Sequence, residues 1–295
     1  MKKTLITGAT GGLGSTVVKF LKEKNNLNHL AVLVRDENND LAKQYKSDGI
    51  EIRIGDYDNI ESLENAFKDI EVLYFVSGSD INNRLPQHKN VVATAKKVGI
   101  KHILYTSTVR KDESSSAPLF PVVDSHKQTE DLIIDSGLNY TILRHSLYAE
   151  VIPMFIGDKA QLLQTKSIYL PTANGATAFV PRKDFAEAEA IILSDPETYE
   201  NKILEFNGSE TITFSEIAKL LSETINESIT YISPEEAEFK TKMTEVGLPD
   251  FIIDMLIMFS LGIANTEFDQ QTDDLETVLG RKTQTLKDFL TEVYQ

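Results

Sequence analysis

Short apolar runs alternate with helical patterns along the first half of the chain, and this alternation constrains the fold more than any other feature. The apolar runs cover residues 4–7, 30–34, 51–54, 72–76, 102–106 and 140–143. The segments 14–24, 60–67, 90–97 and 124–136 carry apolar residues at helical spacing. Parallel pairing needs a crossover between successive strands, because each strand must start again at the same edge of the sheet. The pattern therefore predicts an α/β fold with a doubly wound parallel sheet.

The regular alternation ends after residue 144. Pro153, Pro171 and Pro181 interrupt the strand-like pieces that follow. Helical patterns then come at residues 184–193, 214–224 and 234–246. We therefore predict a doubly wound domain over residues 1–150 and a smaller mixed α/β lobe over residues 151–295. This lobe is contiguous with the first domain and is not expected to fold independently.

Composition excludes several classes of protein. The 295 residues include no Cys, so disulfides, thiolate-bound zinc or iron–sulfur clusters and a Cys nucleophile are all excluded. The net charge of −15 opposes docking on nucleic acid. Residues 1–150 carry −1 and residues 151–295 carry −14, so an anionic ligand is better tolerated in the first half. The five histidines show no metal-ligand spacing, and we expect no metal site.

The sequence predicts neither a signal peptide nor a membrane-spanning segment. The two lysines at positions 2 and 3 precede an apolar run too short for a signal peptide. The apolar stretch 251–263 is shorter than the roughly 20 residues that a bilayer requires. We expect a cytoplasmic protein with no membrane partner. The stretch 251–263 is expected to pack in the core, to cover a pocket or to meet a second subunit of a homodimer.

A glycine-rich loop directly follows the first predicted strand and opens the first predicted helix. Residues 7–14 read Thr-Gly-Ala-Thr-Gly-Gly-Leu-Gly. Glycines here allow a tight turn and let backbone N–H groups approach a pyrophosphate, which then faces the positive end of the helix. The context predicts a Rossmann-type dinucleotide site made by Gly8, Ala9, Thr10, Gly11, Gly12, Leu13 and Gly14. A purely structural glycine-rich turn is the alternative.

The residue after the second predicted strand indicates which dinucleotide binds. Sites for NAD usually place an acidic residue about 20 residues beyond the glycines, where it holds the ribose 2′-hydroxyl. Here Val34 is followed by Arg35, whose guanidinium suits the 2′-phosphate of NADP. NADPH is therefore predicted in preference to NADH. Two alternatives remain open: Asp36 can accept from the ribose, and Arg35 can face solvent.

Polar residues follow the next three predicted strands. Ligands of open α/β sheets lie beyond the carboxyl ends of the strands, where these residues are expected to gather. The additional cofactor-binding candidates are Asp56, Tyr57, Ser77, Gly78, Ser79 and Ser107. A turn or a helix cap is the alternative role for each of them.

These motifs together resemble the extended and atypical short-chain dehydrogenase/reductases. The resemblance rests on the glycine loop, on Val34-Arg35 and on the sequence Gly-Asp-Tyr at residues 55–57. The segments 84–91, 126–130, 140–150 and 247–250 are similar to the NmrA-like branch of that superfamily. The likeness extends from the first strand to the C-terminal helix. It implies NADPH bound in a cleft and hydride delivery to a small quinone or a similar apolar electron acceptor.

The resemblance also implies roles for residues around the sixth strand. In such proteins this stretch passes the nicotinamide, which adds Leu143 and Arg144 to the cofactor-binding candidates. His145 stands where an Asn is expected, so the orientation of a quinone at that point departs from the family pattern. His145, Tyr148 and Phe179 are the candidate substrate residues. Core packing is the alternative role for Phe179. No flavin is expected, because no second nucleotide motif is present.

The chain lacks the Tyr-x-x-x-Lys pair that most of the superfamily uses for proton transfer. Val123 precedes Lys127 by four residues and Val122 precedes His126 by four. His126, near the usual Lys position, is the one candidate catalytic residue. Reduction of a ketone and sugar epimerisation need a positioned proton donor or acceptor. Quinone reduction needs it least, because the product gains aromaticity.

Three functions remain open on sequence grounds. The first is an NADPH-dependent oxidoreductase that transfers hydride directly to a quinone. The second is a non-catalytic NAD(P)-binding redox sensor of the NmrA type, which would engage a regulatory protein partner. The third is an enzyme similar to nucleotide-sugar epimerases, which the missing Tyr opposes.

Overall fold

The computed structural model describes residues 2–24 and 29–295, and they contain a seven-stranded central sheet. Its strands are β1 (Thr4–Ile6), β2 (Leu30–Val34), β3 (Glu51–Ile54), β4 (Val72–Phe75), β5 (His102–Thr108), β6 (Asn139–His145) and β9 (Lys202–Phe206). The strand order is β3-β2-β1-β4-β5-β6-β9. The pairs from β3 through β6 are all parallel, so the predicted doubly wound Rossmann-type sheet is confirmed.

The chain forms two compact units. The first comprises Met1–Thr108, Val122–His145 and Arg182–Glu205, and the second comprises Val109–Pro121, Ser146–Pro181 and Phe206–Gln295. The sequence predicts one boundary at residue 150, whereas the chain passes between the units several times. Residues 182–205 return to the first unit because their helix packs against the first helix of the chain.

Helices cover both faces of the first unit's sheet. They are α1 (Gly12–Glu23), α2 (Asp40–Ser47), α3 (Ile60–Ala66), α4 (Arg84–Val98), α5 (Phe120–Asp135) and α8 (Arg182–Ser194). Every residue of β1, β2 and β4 is buried, as their continuous apolar character requires of strands covered on both faces. One core cluster joins Leu63 of α3, Val91 of α4 and Ile133 of α5 to Phe75 and Tyr105 on the sheet.

The second unit is a smaller mixed α/β structure. Its strands are β7 (Ser167–Tyr169), β8 (Ala176–Thr177), β10 (Ile212–Thr213) and β11 (Thr230–Ile232). The pair β10–β8 is antiparallel and the pair β11–β7 is parallel. Its helices are α6 (Ile152–Ile156), α7 (Lys159–Thr165), α9 (Phe214–Ile225), α10 (Glu236–Glu245), α11 (Asp250–Ala264), α12 (Asp274–Leu279) and α13 (Leu286–Tyr294).

The apolar stretch 251–263 belongs to α11. Ile253, Leu256 and Ile257 on this helix are buried, whereas Phe251 is 72% exposed. Within the described ranges 2–24 and 29–295, no helix combines the length and the apolar character needed to span a bilayer.

Candidate functional site

A cavity of about 630 Å³ opens at the carboxyl ends of β1, β2, β3 and β4 in the first unit. It is lined by Gly8, Thr10, Gly11, Gly12, Leu13, Gly14, Leu33, Val34, Arg35, Gly55, Asp56, Tyr57, Asp58, Val76, Ser77, Gly78, Ser79, Asp80, Asn83 and Gln87. Its volume falls in the range of small-molecule and cofactor sites. The cavity brings together most of the cofactor-binding residues that the sequence predicts.

The glycine loop closes on itself at one end of this cavity. Gly8 has φ +59°, and its carbonyl accepts a hydrogen bond from the Gly11 N–H at 2.9 Å. A Cβ at Gly14 would lie only 2.4 Å from the Gly8 oxygen, so this position requires glycine. Helix α1 begins at Gly12, and no side chain caps it. The N–H groups of its first turn and its dipole therefore suit an anion, and the loop fits a dinucleotide pyrophosphate.

The hydroxyl groups of two tyrosines hold the glycine loop in place by hydrogen bonds. The Tyr45 hydroxyl donates to the carbonyl of Ala9 at 2.7 Å, and Ala9 itself is fully buried. The Tyr57 hydroxyl donates to the Val76 carbonyl at 2.9 Å and lies 2.5 Å from Thr7 Oγ1. Burial raises the pKa of Tyr45 to about 12 and also raises that of Tyr57. Both phenols therefore stay protonated. Tyr45 ties α2 to the glycine loop, and Tyr57 ties the end of β3 to the ends of β1 and β4.

The groups expected to select the dinucleotide lie at the ends of β2 and β3. Arg35 is exposed and lines the cavity. Asp36, the alternative ribose partner, accepts from the Asn38 N–H at 2.8 Å and from its amide at 3.1 Å, so it is engaged in its own turn. Asp56 also lines the cavity, and its carboxylate accepts from the Asp58 N–H at 3.0 Å.

The loop after β4 is clamped through the peptide groups of Gly78. The Gly78 N–H donates to His88 Nε2 at 2.9 Å, and Arg84 Nε donates to the Gly78 carbonyl at 2.7 Å. The Ser77 N–H donates to Thr106 Oγ1 at 2.9 Å. Burial, helped by the Arg84 charge, lowers the pKa of His88 to about 3. His88 is therefore neutral near pH 7, which suits the acceptor role of its Nε2.

Three further cofactor-binding candidates lie on the strands β5 and β6, namely Ser107 on β5 and Leu143 and Arg144 on β6. Ser107 Oγ donates to Glu130 Oε1 at 2.5 Å, and Leu143 is fully buried. Arg144 bridges Glu130 at 2.8 Å and Glu205 at 3.2 Å. None of these three is among the described residues that line the cavity.

The two candidate histidines of the first unit are both buried. His126 on α5 has its Nδ1 2.7 Å from the hydroxyl of Tyr105, which lies beneath it on β5. His145 at the end of β6 stacks on Phe185 with ring centroids 4.3 Å apart, and its Nε2 lies 2.8 Å from Glu189 Oε1. Neither histidine is among the described residues that line the cavity.

The other two candidate substrate residues belong to the second unit. Tyr148 forms a parallel bridge with Val180. Phe179 is 4% exposed and makes an edge-to-face contact with Phe214, with ring centroids 6.1 Å apart. The packing of Phe179 agrees with the core role that the sequence left open for it.

Arg182 packs against the glycine loop, a contact that the sequence motifs do not reveal. A Cβ at Gly12 would lie 2.8 Å from its guanidinium, so the side chain packs directly against the dinucleotide loop. Arg182 is the first residue of α8, 170 positions along the chain from Gly12. Only the return of α8 to the first unit brings the two together. Arg84 and His88 were likewise recognisable only from the three-dimensional contacts.

Within the part of the chain that the structure describes, no three His, Asp or Glu side chains form a group able to hold a metal ion.

Comparison with known proteins identifies the family. The model of the NmrA-like family matches residues 1–293. Quinone oxidoreductase 2 of Escherichia coli (strain K12) is 32% identical over 289 residues, which cover 98% of each chain.

Solved structures of similar proteins support the same family assignment. The NADPH-dependent quinone oxidoreductase of Escherichia coli complexed with NADPH has a TM-score of 0.90 and 30% identity, over 99% of this chain and 100% of that chain. The triphenylmethane reductase of Citrobacter sp. complexed with NADP(H) has a TM-score of 0.87 and 29% identity, over 99% of each. The resemblance inferred from the motifs is thereby confirmed. The chain belongs to the NmrA-like family, and it is an oxidoreductase of that family.

Proposed function

We propose that the protein transfers hydride from NADPH to a small quinone, without a Tyr-x-x-x-Lys pair. The observation that carries the proposal is the cavity itself, in which the glycine loop, Arg35 and the Ser77–Ser79 loop face one space of dinucleotide size. The similar quinone oxidoreductase complexed with NADPH supports both the cofactor and the acceptor class. We also propose that the protein acts in the cytoplasm.

The cavity's residues support a division of labour along the cofactor. The α1 N-terminus would hold the pyrophosphate, and Arg182 would add a positive charge beside it. Arg35 would hold the 2′-phosphate, which favours NADPH over NADH. Beyond the glycine loop, the clamped peptide of Gly78 would present Ser77 and Ser79 to the ribose and nicotinamide half.

Catalysis in this proposal is mainly positioning. The bound nicotinamide supplies the hydride. The protein contributes by fixing the cofactor against rigid strand ends and by holding the acceptor ring close to it. Of the candidate acceptor residues, His145 remains the proposed one in the first unit, whereas Phe179 packs against Phe214 in the second. His126 lies beside the buried hydroxyl of Tyr105, which favours a structural role over the catalytic one that the sequence suggests.

Steady-state turnover tests the proposal. The purified protein is mixed with NADPH and p-benzoquinone, the uncatalysed rate is subtracted, and NADH is run in parallel. Saturable quinone-dependent oxidation with a higher kcat/KM for NADPH is the expected result. Absence of turnover in a sample that still binds NADPH would refute the proposal and favour the redox-sensing regulator.

The acceptor has one further candidate class. A cationic triphenylmethane dye is included in the same assay, because the reductase of such dyes is 29% identical to this chain. A dye rate above the quinone rate would reassign the acceptor while leaving the hydride donor unchanged.

A further inference from the structure

A buried guanidinium lies directly behind the loop that follows β4. Arg84 is 6% exposed, and its Nε donates to the Gly78 carbonyl at 2.7 Å. Its Nη1 donates to Ser125 Oγ at 3.2 Å, and Ser125 Oγ in turn donates to the Val122 carbonyl at 2.9 Å. Gly78 lines the dinucleotide cavity. The positive charge of Arg84 is therefore fixed against a peptide group that lines the cavity.

This charge forms no ion pair within the described ranges 2–24 and 29–295, since both of its hydrogen bonds end on uncharged oxygens. Asp80 attracts it from a distance, but Asp80 is exposed and its carboxylate accepts from the Asn82 N–H at 3.1 Å. Arg84 is also the first residue of α4, whose first turn has no acidic residue, so the helix dipole disfavours a cation there. An arginine stays protonated even in such surroundings. Because a buried cation without an ion pair is costly, its presence beside the cavity favours a role for the charge itself.

The strand order places this charge on the nicotinamide side of the proposed cofactor. In the sheet, β1 lies between β2 and β4, and the glycine loop follows β1. With Arg35 at the end of β2 holding the 2′-phosphate, the adenosine half lies on the β2 side of the pyrophosphate. The other half then extends towards the end of β4, where the loop that carries Gly78 begins.

The two redox states of the cofactor differ in charge at that end. The oxidised nicotinamide ring carries a positive charge, whereas the reduced ring is neutral. The phosphates and both riboses are the same in the two states. A fixed cation nearby therefore repels the oxidised form alone, and its burial limits screening by solvent and salt.

We propose that Arg84 makes the cavity bind NADPH more tightly than NADP⁺, an inference that rests on the cofactor placement of the proposed function. Arg84 thus selects the redox state of the nucleotide, whereas Arg35 acts on the 2′-phosphate that both states share. Two unit charges several ångströms apart in a partly buried site change a binding constant by about 10-fold. Weaker binding of NADP⁺ frees the cavity for NADPH after each hydride transfer.

Calorimetric titration with NADPH and with NADP⁺, in the absence of an acceptor, tests the proposal. The quantity compared is the Kd ratio, which is the Kd for NADP⁺ divided by the Kd for NADPH. Arg84→Gln removes the charge and keeps a side-chain amide that can donate a hydrogen bond. We expect it to lower the Kd ratio about 10-fold relative to wild type. Any loosening of the Gly78 loop weakens both nucleotides alike and cancels in the ratio.

Two further variants separate charge from support of the loop. Arg84→Lys keeps the charge and changes the hydrogen-bond geometry, so its Kd ratio should stay near that of wild type even where both affinities fall. Arg35→Gln is the matched control, because it removes a positive charge from the adenosine side of the same cavity. It should weaken both nucleotides by a similar factor and leave the Kd ratio unchanged.

Asp80 provides a test of opposite sign. It lines the cavity and carries the negative charge that attracts Arg84. Asp80→Asn removes a charge that favours NADP⁺, so the Kd ratio should rise. Thermal unfolding is followed for every variant. If Arg84→Gln does not fold, Asp80→Asn, at an exposed position, carries the test, and a Kd ratio that stays the same or falls in it overturns the proposal.

The outcomes separate this inference from the proposed function. A wild-type Kd ratio near 1, or a ratio that Arg84→Gln leaves unchanged while both affinities fall, would show that Arg84 only supports the loop and would overturn the inference while cofactor binding stands. A wild-type protein that binds neither nucleotide would overturn the proposed function and the inference with it. A wild-type Kd ratio well above 1 that falls in Arg84→Gln, but not in Arg84→Lys or Arg35→Gln, supports the inference.

Discussion

Replacement of Gly14 by Ala tests how the dinucleotide loop is built. The new Cβ would lie 2.4 Å from the Gly8 oxygen, 2.7 Å from the Gly8 carbonyl carbon and 3.1 Å from the Ala9 nitrogen. All three atoms are backbone, and the Tyr45 bond to the Ala9 carbonyl restrains the chain there. The loop must therefore move away from α1.

The size of the effect follows from two opposing contributions. At an ordinary helical position, Gly to Ala stabilises a protein by about 1 kcal/mol. Overpacking against a rigid neighbour costs about 1–3 kcal/mol. Because the contact is with backbone and not with a flexible side chain, we expect the cost to prevail, with a net loss of up to about 2 kcal/mol in the free energy of unfolding. NADPH affinity should fall as well, since the N–H groups that we propose to hold the pyrophosphate are displaced.

Denaturant unfolding without cofactor, followed by fluorescence titration with NADPH, measures both effects. Gly11→Ala is the graded control, because its Cβ would lie 3.2 Å from the same Gly8 oxygen and needs a shift of only a few tenths of an ångström. Its unfolding free energy should fall less than that of Gly14→Ala. A Gly14→Ala protein as stable as wild type, with unchanged NADPH affinity, would refute the description of the loop.

Three further predictions concern residues around the cavity. Arg35→Ala should raise the KM for NADPH about 10-fold while changing the KM for NADH little. The contact that we propose with the 2′-phosphate is charge-assisted, and Arg35 is solvent-exposed. Equal changes for both cofactors would contradict the assignment. Arg182→Met should instead weaken NADPH and NADH by similar factors, and raised salt should reduce the difference from wild type, because the guanidinium lies beside the pyrophosphate loop common to both. Burial lowers the pKa of His88 from 6.5 to about 3, so the unfolded state binds more protons between these values and the contribution of His88 is lost as the pH falls. Wild type should therefore lose unfolding free energy relative to His88→Gln by up to about 1.4 kcal/mol per pH unit below pH 6.5, with no such difference in slope above pH 7; parallel pH profiles would exclude this role.

The predictability of the site follows the locality of its contacts. The first strand, the glycine loop and α1 are adjacent in sequence, so the spacing of three glycines was enough to predict the turn and the helix. Arg35 was recognisable for the same reason, since it directly follows a continuous apolar strand. Helix α4 begins at Arg84, six residues before the predicted segment 90–97. Its first turns carry the polar residues Arg84 and His88, so the sequence does not reveal them as helical. These polar residues obscure the helical pattern, yet they are buried because they bond to Gly78.

The remaining features depend on contacts between distant parts of the chain. The packing of α8 against α1 brings Arg182 to Gly12 and Glu189 to His145, and no local pattern encodes either meeting. The single predicted boundary at residue 150 could not anticipate that residues 182–205 return to the first unit. Apolar periodicity reports which face of an element is buried, but not which other element covers it.

Direct hydride transfer is the central claim, and a single-turnover measurement with isotopically labelled cofactor tests it most directly. The protein is saturated with NADPH carrying deuterium at the transferred position of the nicotinamide, mixed rapidly with tetramethyl-p-benzoquinone, and the loss of nicotinamide absorbance is followed. The predicted result is a slower decay with deuterium than with hydrogen, together with a decay far faster than in the protein-free mixture. A decay no faster than in the absence of protein would contradict the account.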